Sequence, residues 1–520
     1  MKVEKINLEE TGGFSPLFLD YIQGKSSLKE FYHLKPDIDQ FEKQIAIKGL
    51  AKEKREILHK VLIQQYQGLE KDKSLSANLQ LLKEENTYTI TTGHQLNIFS
   101  GPLYFIYKIV TVINICQKLQ DRFPDCHFVP IYWMASEDHD FEEINHFHLW
   151  GKKYQWETSQ SGAVGRFKLD SSLQSILSDL PEKVALFEEA YGKSSNLAEA
   201  TRHFSNQLFG NKGLVVLDAD CPELKSLFKE IIQDDLLNHR ANDMVESTST
   251  KISDQGYKVQ VYPRSINFFY LDNGTRERWI REDGKLKARN TDVSLTEEEA
   301  IDWVNKHPEK FSPNVILRPL YQELILPNLA YIGGSAEVAY WLQLKKVFDH
   351  YQIPFPILLP RNFALILNKG NVKKLEKFDL KAKDLFLEKQ DLKNFYLKRH
   401  LDNPIELEQE IKGLNEIFDS VKEKAATVDK SLEGFIGAEA QRSLKSLENI
   451  QKRLHKAEEQ SHEISLKQIE GLKEKLFPHG RLQERWDNFL NFYINNPEFI
   501  QDVINCLDPF DFRFHILIED

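Results

Sequence analysis

The chain has 520 residues, too many for one hydrophobic core at about 100–200 residues per domain, so two or three domains are expected. Hydrophobic residues make up 41% and allow a substantial core, while a net charge of −11 argues against a general nucleic-acid binder, since neutralising phosphates takes an excess of Lys and Arg. Cys116, Cys126, Cys221 and Cys506 lack CxxC spacing, no apolar run approaches about 18 residues, and MKVEKINLEETGG is too polar for a signal peptide, so a soluble cytoplasmic protein without disulfide framework, Cys-rich zinc site or membrane partner is expected.

Residues 1 to about 85 begin with the apolar FSPLFLDYI and continue as Lys- and Glu-rich helices, with Ile57, Leu58, Val61, Leu62 and Tyr66 at helical spacing. Tyr88 to Thr92 is β-branched and aromatic, and reads as a strand giving way to a turn at Gly93-His94-Gln95. A helix follows, with Ser100 as its cap, Pro102 in its first turn, and Leu103, Ile106, Ile109, Val110 and Ile113 on its buried face. Phe128 to Met134 is nearly all apolar, as in a parallel strand covered on both faces, and ends at Ser136-Glu137-Asp138-His139-Asp140. Both polar clusters then face the crevice beyond the carboxyl ends of a parallel sheet.

Residues 150–212 turn polar and read as an inserted connecting segment, helical from Pro181 to Phe209. Gly213 to Asp220 is another buried strand, whose Asp218 and Asp220 are either turn formers or contacts to a ribose or ammonium group. A second insertion, about 245–310, contains a hairpin within Tyr257 to Glu282, signalled by alternation in KVQVYPR and NFFYLD and by Asn273-Gly274. Arg264, Arg276 and Arg281 are cationic candidates for a phosphate or carboxylate, or exposed strand-face charges. Arg318 follows a strand-like VIL, Gly333-Gly334 lets a loop approach a ligand, a helix from about Ala336 carries Glu337, Tyr340 and Trp341, and Pro356 to Pro360 is a further core strand.

From about Lys369 the chain loses aromatics and gains Lys and Glu. Leu407, Ile411, Leu414, Phe418, Val421, Ala425, Val428, Leu432 and Phe435 step by four and three, the a/d signature of a coiled coil. A helix from Ile405 to Leu432 would span roughly 40 Å at about 1.5 Å per residue. A second helix carries Leu447, Ile450, Leu454, Ala457 and Ile464, with Gly434 and Gly437 expected at the turn. The expected organisation is a core over 1–365, an arm over 366–476, and a segment over 477–520 returning to the core, in which Arg485 and Asn488 share a helical face.

Glu137, Asp138, His139, Asp140, Glu142, Glu143, His146 and His148 invite a metal-dependent hydrolase reading. If Ile144 to Leu149 is a strand, His146 and His148 share one face, but the spacing is not HExxH, and the acids could hold an ammonium group instead. GxGxxG, a Walker A lysine and GxSxG are all missing, which lowers hydride transfer, P-loop chemistry and the serine-hydrolase elbow.

TTGHQLNIFSGPLYFIYK, WMASEDHDFEEINH, ILRPLYQELILPNLAYIGGSAEVAYW and LQER together resemble the bacillithiol biosynthesis cysteine-adding enzyme (BshC) family, the cysteine ligases, over nearly the whole chain. Two positions depart from the family pattern: His94, where Gln is expected, and Asn362-Phe363, where a small hydroxyl residue is expected after Arg361. The resemblance implies an α/β fold, with a Rossmann-like parallel-sheet core of class I synthetase type, inserted connecting segments and an α-helical coiled coil that pairs a homodimer. It implies condensation of the carboxylate of L-cysteine with the amine of glucosaminyl malate, with ATP as activator and Mg2+ as its accompanying ion. His94, Asp138, His139 and Asp140 are then the catalytic candidates, and Thr92, Gly93, Gln95, Glu137, Asn145, Arg318, Gly333, Gly334, Glu337 and Tyr340 the substrate-binding ones. Arg485 and Asn488 are candidates for a nucleotide, and no metal ligand is assigned. A non-catalytic coiled-coil scaffold is the remaining alternative.

Overall fold

In the computed structural model, which describes residues 1–400 and 406–519, strand β1 spans Thr87–His94, so Gly93 and His94 end the strand rather than form a turn. The reason is pairing: β1 runs in parallel register with an equally long strand, His127–Met134, as far as His94 opposite Met134, and the His94 carbonyl accepts the Ala135 N–H at 2.9 Å. Helix α1, Tyr104–Arg122, follows and buries nearly its whole first four turns. Ser100 does not cap it. That residue lies in the preceding turn at φ 68°, its buried hydroxyl without a partner among the described residues. Strand β2, His127–Met134, and strand β3, Val215–Asp218, come next.

Beyond β3 the VIL stretch is a turn, not a strand, because the Asn314 carboxamide oxygen accepts the Ile316 and Leu317 N–H groups and starts helix α2, Arg318–Ile325. Strand β4, Asn328–Gly333, helix α3, Ser335–Trp341, and strand β5, Ile357–Pro360, complete the core. The sheet order is β3-β2-β1-β4-β5 with every pairing parallel, the Rossmann order, and its topological switch point lies between β1 and β4. Ile90, Ile332 and Leu359 of the sheet pack with Val112, Ile115 and Leu119 of α1 in one fully buried layer.

The segment between β2 and β3 holds a hairpin, His146–Leu149 with Lys152–Gln155, and four α-helices, the first of them the single turn Phe141–Ile144. The helix expected from Pro181 to Phe209 divides into Ala185–Lys193 and Leu197–Phe209, because Asn196 caps the second by accepting the Glu199 N–H at 2.9 Å. Between β3 and β4 an antiparallel sheet is built on the hairpin Phe268–Asp272 and Thr275–Glu282. KVQVYPR lies outside it: the Gln343 side chain takes the Gln260 and Val261 N–H groups that a neighbouring strand would otherwise bind.

The chain divides into two units, Met1–Ile366 with Leu482–Leu517, and Leu367–Arg481 with the final residues. In the second unit, helix α4, Glu408–Ala426, packs along helix α5, Leu432–Ser461. Ile405, the expected start of the first arm helix, lies outside the described residues. The reversal falls at residues 427–431, where Asp429 accepts the Ser431 N–H, and Gly434 and Gly437 sit inside α5. A local side-chain turn at Asp429 outweighs the cost of about 1 kcal/mol for a glycine in a helix. No helix among the described residues is long and apolar enough to cross a membrane.

The returning segment of the first unit carries Arg485 at the end of a one-turn 3-10 helix, Gln483–Arg485, and Asn488 on an isolated bridge to Pro102, so the two do not share one helical face. Its neighbour Glu484 forms a two-pronged ion pair with Arg361, at 2.5 and 2.9 Å, with both side chains almost wholly enclosed. Glu484→Leu should leave the Arg361 charge buried alone and cost about 3–5 kcal/mol in denaturant unfolding, whereas adding Arg361→Met should recover most of that loss. Equal destabilisation of the single and double variants would contradict this account.

Candidate functional site

The carboxyl ends of β1 and β4 are drawn together by one buried cation. Lys108, on α1, donates from Nζ to the Gly93 carbonyl at 2.7 Å and pairs with Glu337 Oε1 at 2.6 Å. Glu337, in the first turn of α3, also accepts the Tyr331 hydroxyl at 2.7 Å and the Gly334 N–H at 3.1 Å. Burial works to raise the Glu337 carboxyl, but Lys108, Tyr331 and the Gly334 N–H outweigh it and hold the group below its ordinary value. Burial pulls the Lys108 ammonium down, against the carboxylate. Gly333 is required here: a Cβ on it would come within 2.9 Å of Glu337 Cβ and 3.2 Å of the Tyr331 ring.

Against this bridge lies a cavity of about 210 Å³, lined among others by Gly93, His94, Gln95, Asp138, Arg318 and Tyr340. His94 is enclosed beside Tyr104 and Phe105, each ring 5.2 Å away, and its Nε2 has no partner among the described residues. Burial, with Lys108 and Arg361 adding to it, pushes this imidazole well below its usual pKa, so at neutral pH it is uncharged. Asp138 accepts the His139 N–H at 2.8 Å and a Gln95 amide hydrogen at 3.2 Å, with Arg276 Nη1 3.9 Å away. Burial alone would raise its carboxyl, yet His139, Arg276, Arg318 and Gln95 together hold it far below the carboxylate range. Asp138 is thus a fixed negative charge.

A second cavity, about 390 Å³, shares Trp133, Ala135, Asp138 and Arg318 with the first. Glu137, His139, Arg264, Arg276 and Arg278 line it. The Arg276 guanidinium carbon lies over the Phe269 ring, 3.9 Å from its centre, and Nη1 contacts His139 Nδ1 at 2.7 Å. A guanidinium only donates, so Nδ1 is the acceptor and the ring proton sits on Nε2. Glu137 is tied to the buried Lys225. Behind the cavity, the Asn267 carboxamide joins the Arg264 backbone, at 2.9 and 3.2 Å, to Asn314 at 2.9 Å and to Asp235.

Gly93, His94, Gln95, Asp138, Arg318, Glu337 and Tyr340 therefore meet at one cavity, and Glu137 and His139 at the adjoining one. The remaining candidates lie elsewhere. Thr92 bonds the Ile332 carbonyl at 2.8 Å, holding β1 to β4; Asp140 is exposed ahead of a one-turn helix; Asn145 contacts His146 at 3.0 Å. Gly333 and Gly334 shape the site through backbone alone. Arg485 is exposed, and the Asn488 carboxamide is committed to the Phe99 and Gly101 carbonyls and the Leu490 N–H. Asp218 accepts the Ser136 hydroxyl and Asp220 pairs with Arg166, both at the edge of a broader groove of about 1140 Å³. Arg281 pairs with Glu297, away from both cavities. Lys108 and Tyr331 were not among the expected site residues. A single charge within the buried run LYFIYKIV is the signal that could have pointed to Lys108. Among the described residues no group of three His, Cys, Asp or Glu side chains could hold a metal ion, which leaves the hydrolase reading without a ligand set.

Comparison with known proteins gives two family models that together span almost the whole sequence. Residues 1–362 match the "Bacillithiol biosynthesis BshC, N-terminal Rossmann-like domain" and residues 364–519 the "Bacillithiol biosynthesis BshC, C-terminal coiled-coil domain". The chain is 44% identical over 530 residues to "Putative cysteine ligase BshC" of Flavobacterium psychrophilum, covering 99% of each chain. It is 41% identical over 529 residues to the protein of that name from Flavobacterium johnsoniae, covering 99% of this chain and 100% of the relative. The Cytophaga hutchinsonii protein of that name is 40% identical over 514 residues, covering 99% and 98%.

The wall behind the second cavity should report on pH. Burial pushes the Asp235 carboxyl up to about 7, with Asp234 adding to it and the Asn267 hydrogen bonds opposing. Its folded pKa thus lies above the unfolded value of about 3.9, so the stability it contributes is full below about pH 4 and is lost as pH rises through the folded value. Relative to Asp235→Asn, the wild type should lose stability across that window at up to about 1.4 kcal/mol per pH unit. Denaturant midpoints at several pH values give the slopes, and parallel slopes would refute the assignment.

Proposed function

The chain belongs to the bacillithiol-biosynthesis BshC family, and on that premise we propose that it is a cysteine ligase, joining the carboxylate of L-cysteine to the amine of glucosaminyl malate in a reducing cytoplasm. The observation that carries this reading is the placing of Asp138 and Arg318 on the wall shared by two cavities of unequal size. The smaller cavity is of amino-acid size, with an anionic group for an ammonium and a guanidinium for a carboxylate. The larger opens on the same two side chains and would bring an acceptor amine to that carboxylate.

Amide formation from a carboxylate and an ammonium is uphill in water, so the carboxylate needs activation. ATP, with Mg2+, is the proposed activator, through an acyl-adenylate or an acyl-phosphate. Arg276 and Arg318 are the side chains with the charge to meet the resulting phosphate oxygens. Neither Asp138 nor His94 is a strong base in these surroundings, and His139 presents an N–H from Nε2. The residues accordingly act by holding charges in place, and the acceptor amine enters uncharged.

Purified protein supplied with cysteine, glucosaminyl malate, ATP and Mg2+ should yield the amide thiol by mass spectrometry. Asp138→Asn should lower kcat/KM by about 100-fold or more, as loss of a charge aimed at the reacting groups does. A wild type that makes no product beside an active relative would end the ligase reading.

We also propose that the arm pairs two copies of the chain. Ile417, Val421, Phe435, Ile450 and Leu454 of α4 and α5 are large apolar side chains left exposed in one chain, a seam that a two-fold partner would cover. Leu414→Glu with Val421→Glu should convert a dimer to a monomer in light scattering while the core stays folded. A wild type already monomeric at micromolar concentration would defeat the pairing.

A further inference from the structure

The larger cavity has a charge balance at odds with the rest of the chain. Arg264, Arg276, Arg278 and Arg318 face it, against the carboxylates of Glu137 and Asp138, in a protein whose net charge is −11. Glu137 is already taken by Lys225, which also donates to the Phe311 carbonyl at 2.8 Å. Arg264 and Arg278 are exposed, and neither guanidinium has an ion-pair partner among the described residues.

The arrangement is also rigidly built. Arg276 is fixed on three sides, by the Phe269 ring, Ser312 Oγ at 3.2 Å and His139 Nδ1 at 2.7 Å. Arg264 has its backbone clamped by Asn267, whose own N–H donates to the buried Asp235 at 2.6 Å. Four guanidiniums against two carboxylates in a partly enclosed space, with Arg276 fixed 3.9 Å from Asp138 before a ligand arrives, are suited to an anion that brings more than one charge.

We infer that this cavity is a dianion subsite, taking a ligand group with two carboxylates or a phosphate, with Arg276 and Arg318 at its inner wall and Arg264 and Arg278 as the exposed pair. Its place in catalysis rests on the ligase reading; its existence does not. A ligand anchored there by its charges would present its remaining groups to Asp138, where the two cavities meet. Two sources share this chemistry: the dicarboxylate end of the acceptor and the phosphates of the nucleotide.

Calorimetric titration of the full chain at about 0.15 M salt, where exposed charges are screened, tests the inference with malate, inorganic phosphate and lactate, the last a monoanion control. Malate or phosphate should bind at least about tenfold more tightly than lactate, and Arg264→Ala with Arg278→Ala should weaken that binding by about tenfold or more. Both positions are exposed, so the double variant should stay folded, and its affinity for cysteine should be unchanged. Preference for malate assigns the subsite to the acceptor, preference for phosphate assigns it to the nucleotide, and either supports it. Dianions binding no better than lactate, or binding equally to the double variant, would overturn it. Dianion binding without amide formation would sink the ligase reading alone; amide formation with the KM values for acceptor and ATP untouched by the double variant would sink the subsite alone.

Discussion

A lysine ammonium sealed from water has to be answered by a carboxylate and by hydrogen bonds, since unpaired it would cost several kcal/mol. Lys108 meets that demand with Glu337 and the Gly93 carbonyl, and so joins α1, the end of β1 and the start of α3. These are the elements on either side of the switch point, where a parallel sheet opens a crevice by topology alone. The pair ties the two sides of that crevice together. Gly333 and Tyr331 follow from it, one because no larger residue clears Glu337, the other because its hydroxyl completes the carboxylate's shell.

The acids around the crevice are of two kinds, two paired and one left open. Glu337 is satisfied by Lys108, and Glu137 by Lys225, so both acids are closed off as ion pairs. Asp138 keeps its charge at a longer distance from Arg276 and in reach of a neutral amide, Gln95. A site of this kind has its dipoles and charges set before a ligand arrives, which lowers the reorganisation needed during reaction.

Those parts of the fold that depend on period and composition were legible in the sequence: the apolar β2, the buried face of α1, the strand before Asp218 and the Gly-Gly approach to α3 all lie where pattern places them. The lining of the candidate cavity was legible where strand ends carry polar residues, as at Gly93 to Gln95 and at Asp138. What escaped was decided by single side-chain bonds or by partners far along the chain. Asn314 turns an apolar tripeptide into a helix start, Gln343 replaces a strand partner for residues 260 and 261, and Asp429 moves the arm's turn away from its glycines. Thr92 looked like a ligand contact because it adjoins the crevice, but its side chain faces the neighbouring strand's carbonyl. Lys108 needed the sheet order before its carboxylate, more than two hundred residues later, could be named.

The first unit is discontinuous, and its missing part is made last. Residues 482–517 supply Glu484 for Arg361, the Asn488 carboxamide for the carbonyls of Phe99 and Gly101, and the Asp487 carbonyl for the Leu103 N–H at 2.8 Å. During synthesis from the N-terminus, the sheet and α1 therefore leave the ribosome with an unanswered arginine and an unsecured loop ahead of α1. They remain so until the whole of the second unit's continuous stretch, 367–481, has been translated. A nascent chain stalled in the arm would carry all five parallel strands and most of the candidate site, yet lack the segment that closes them.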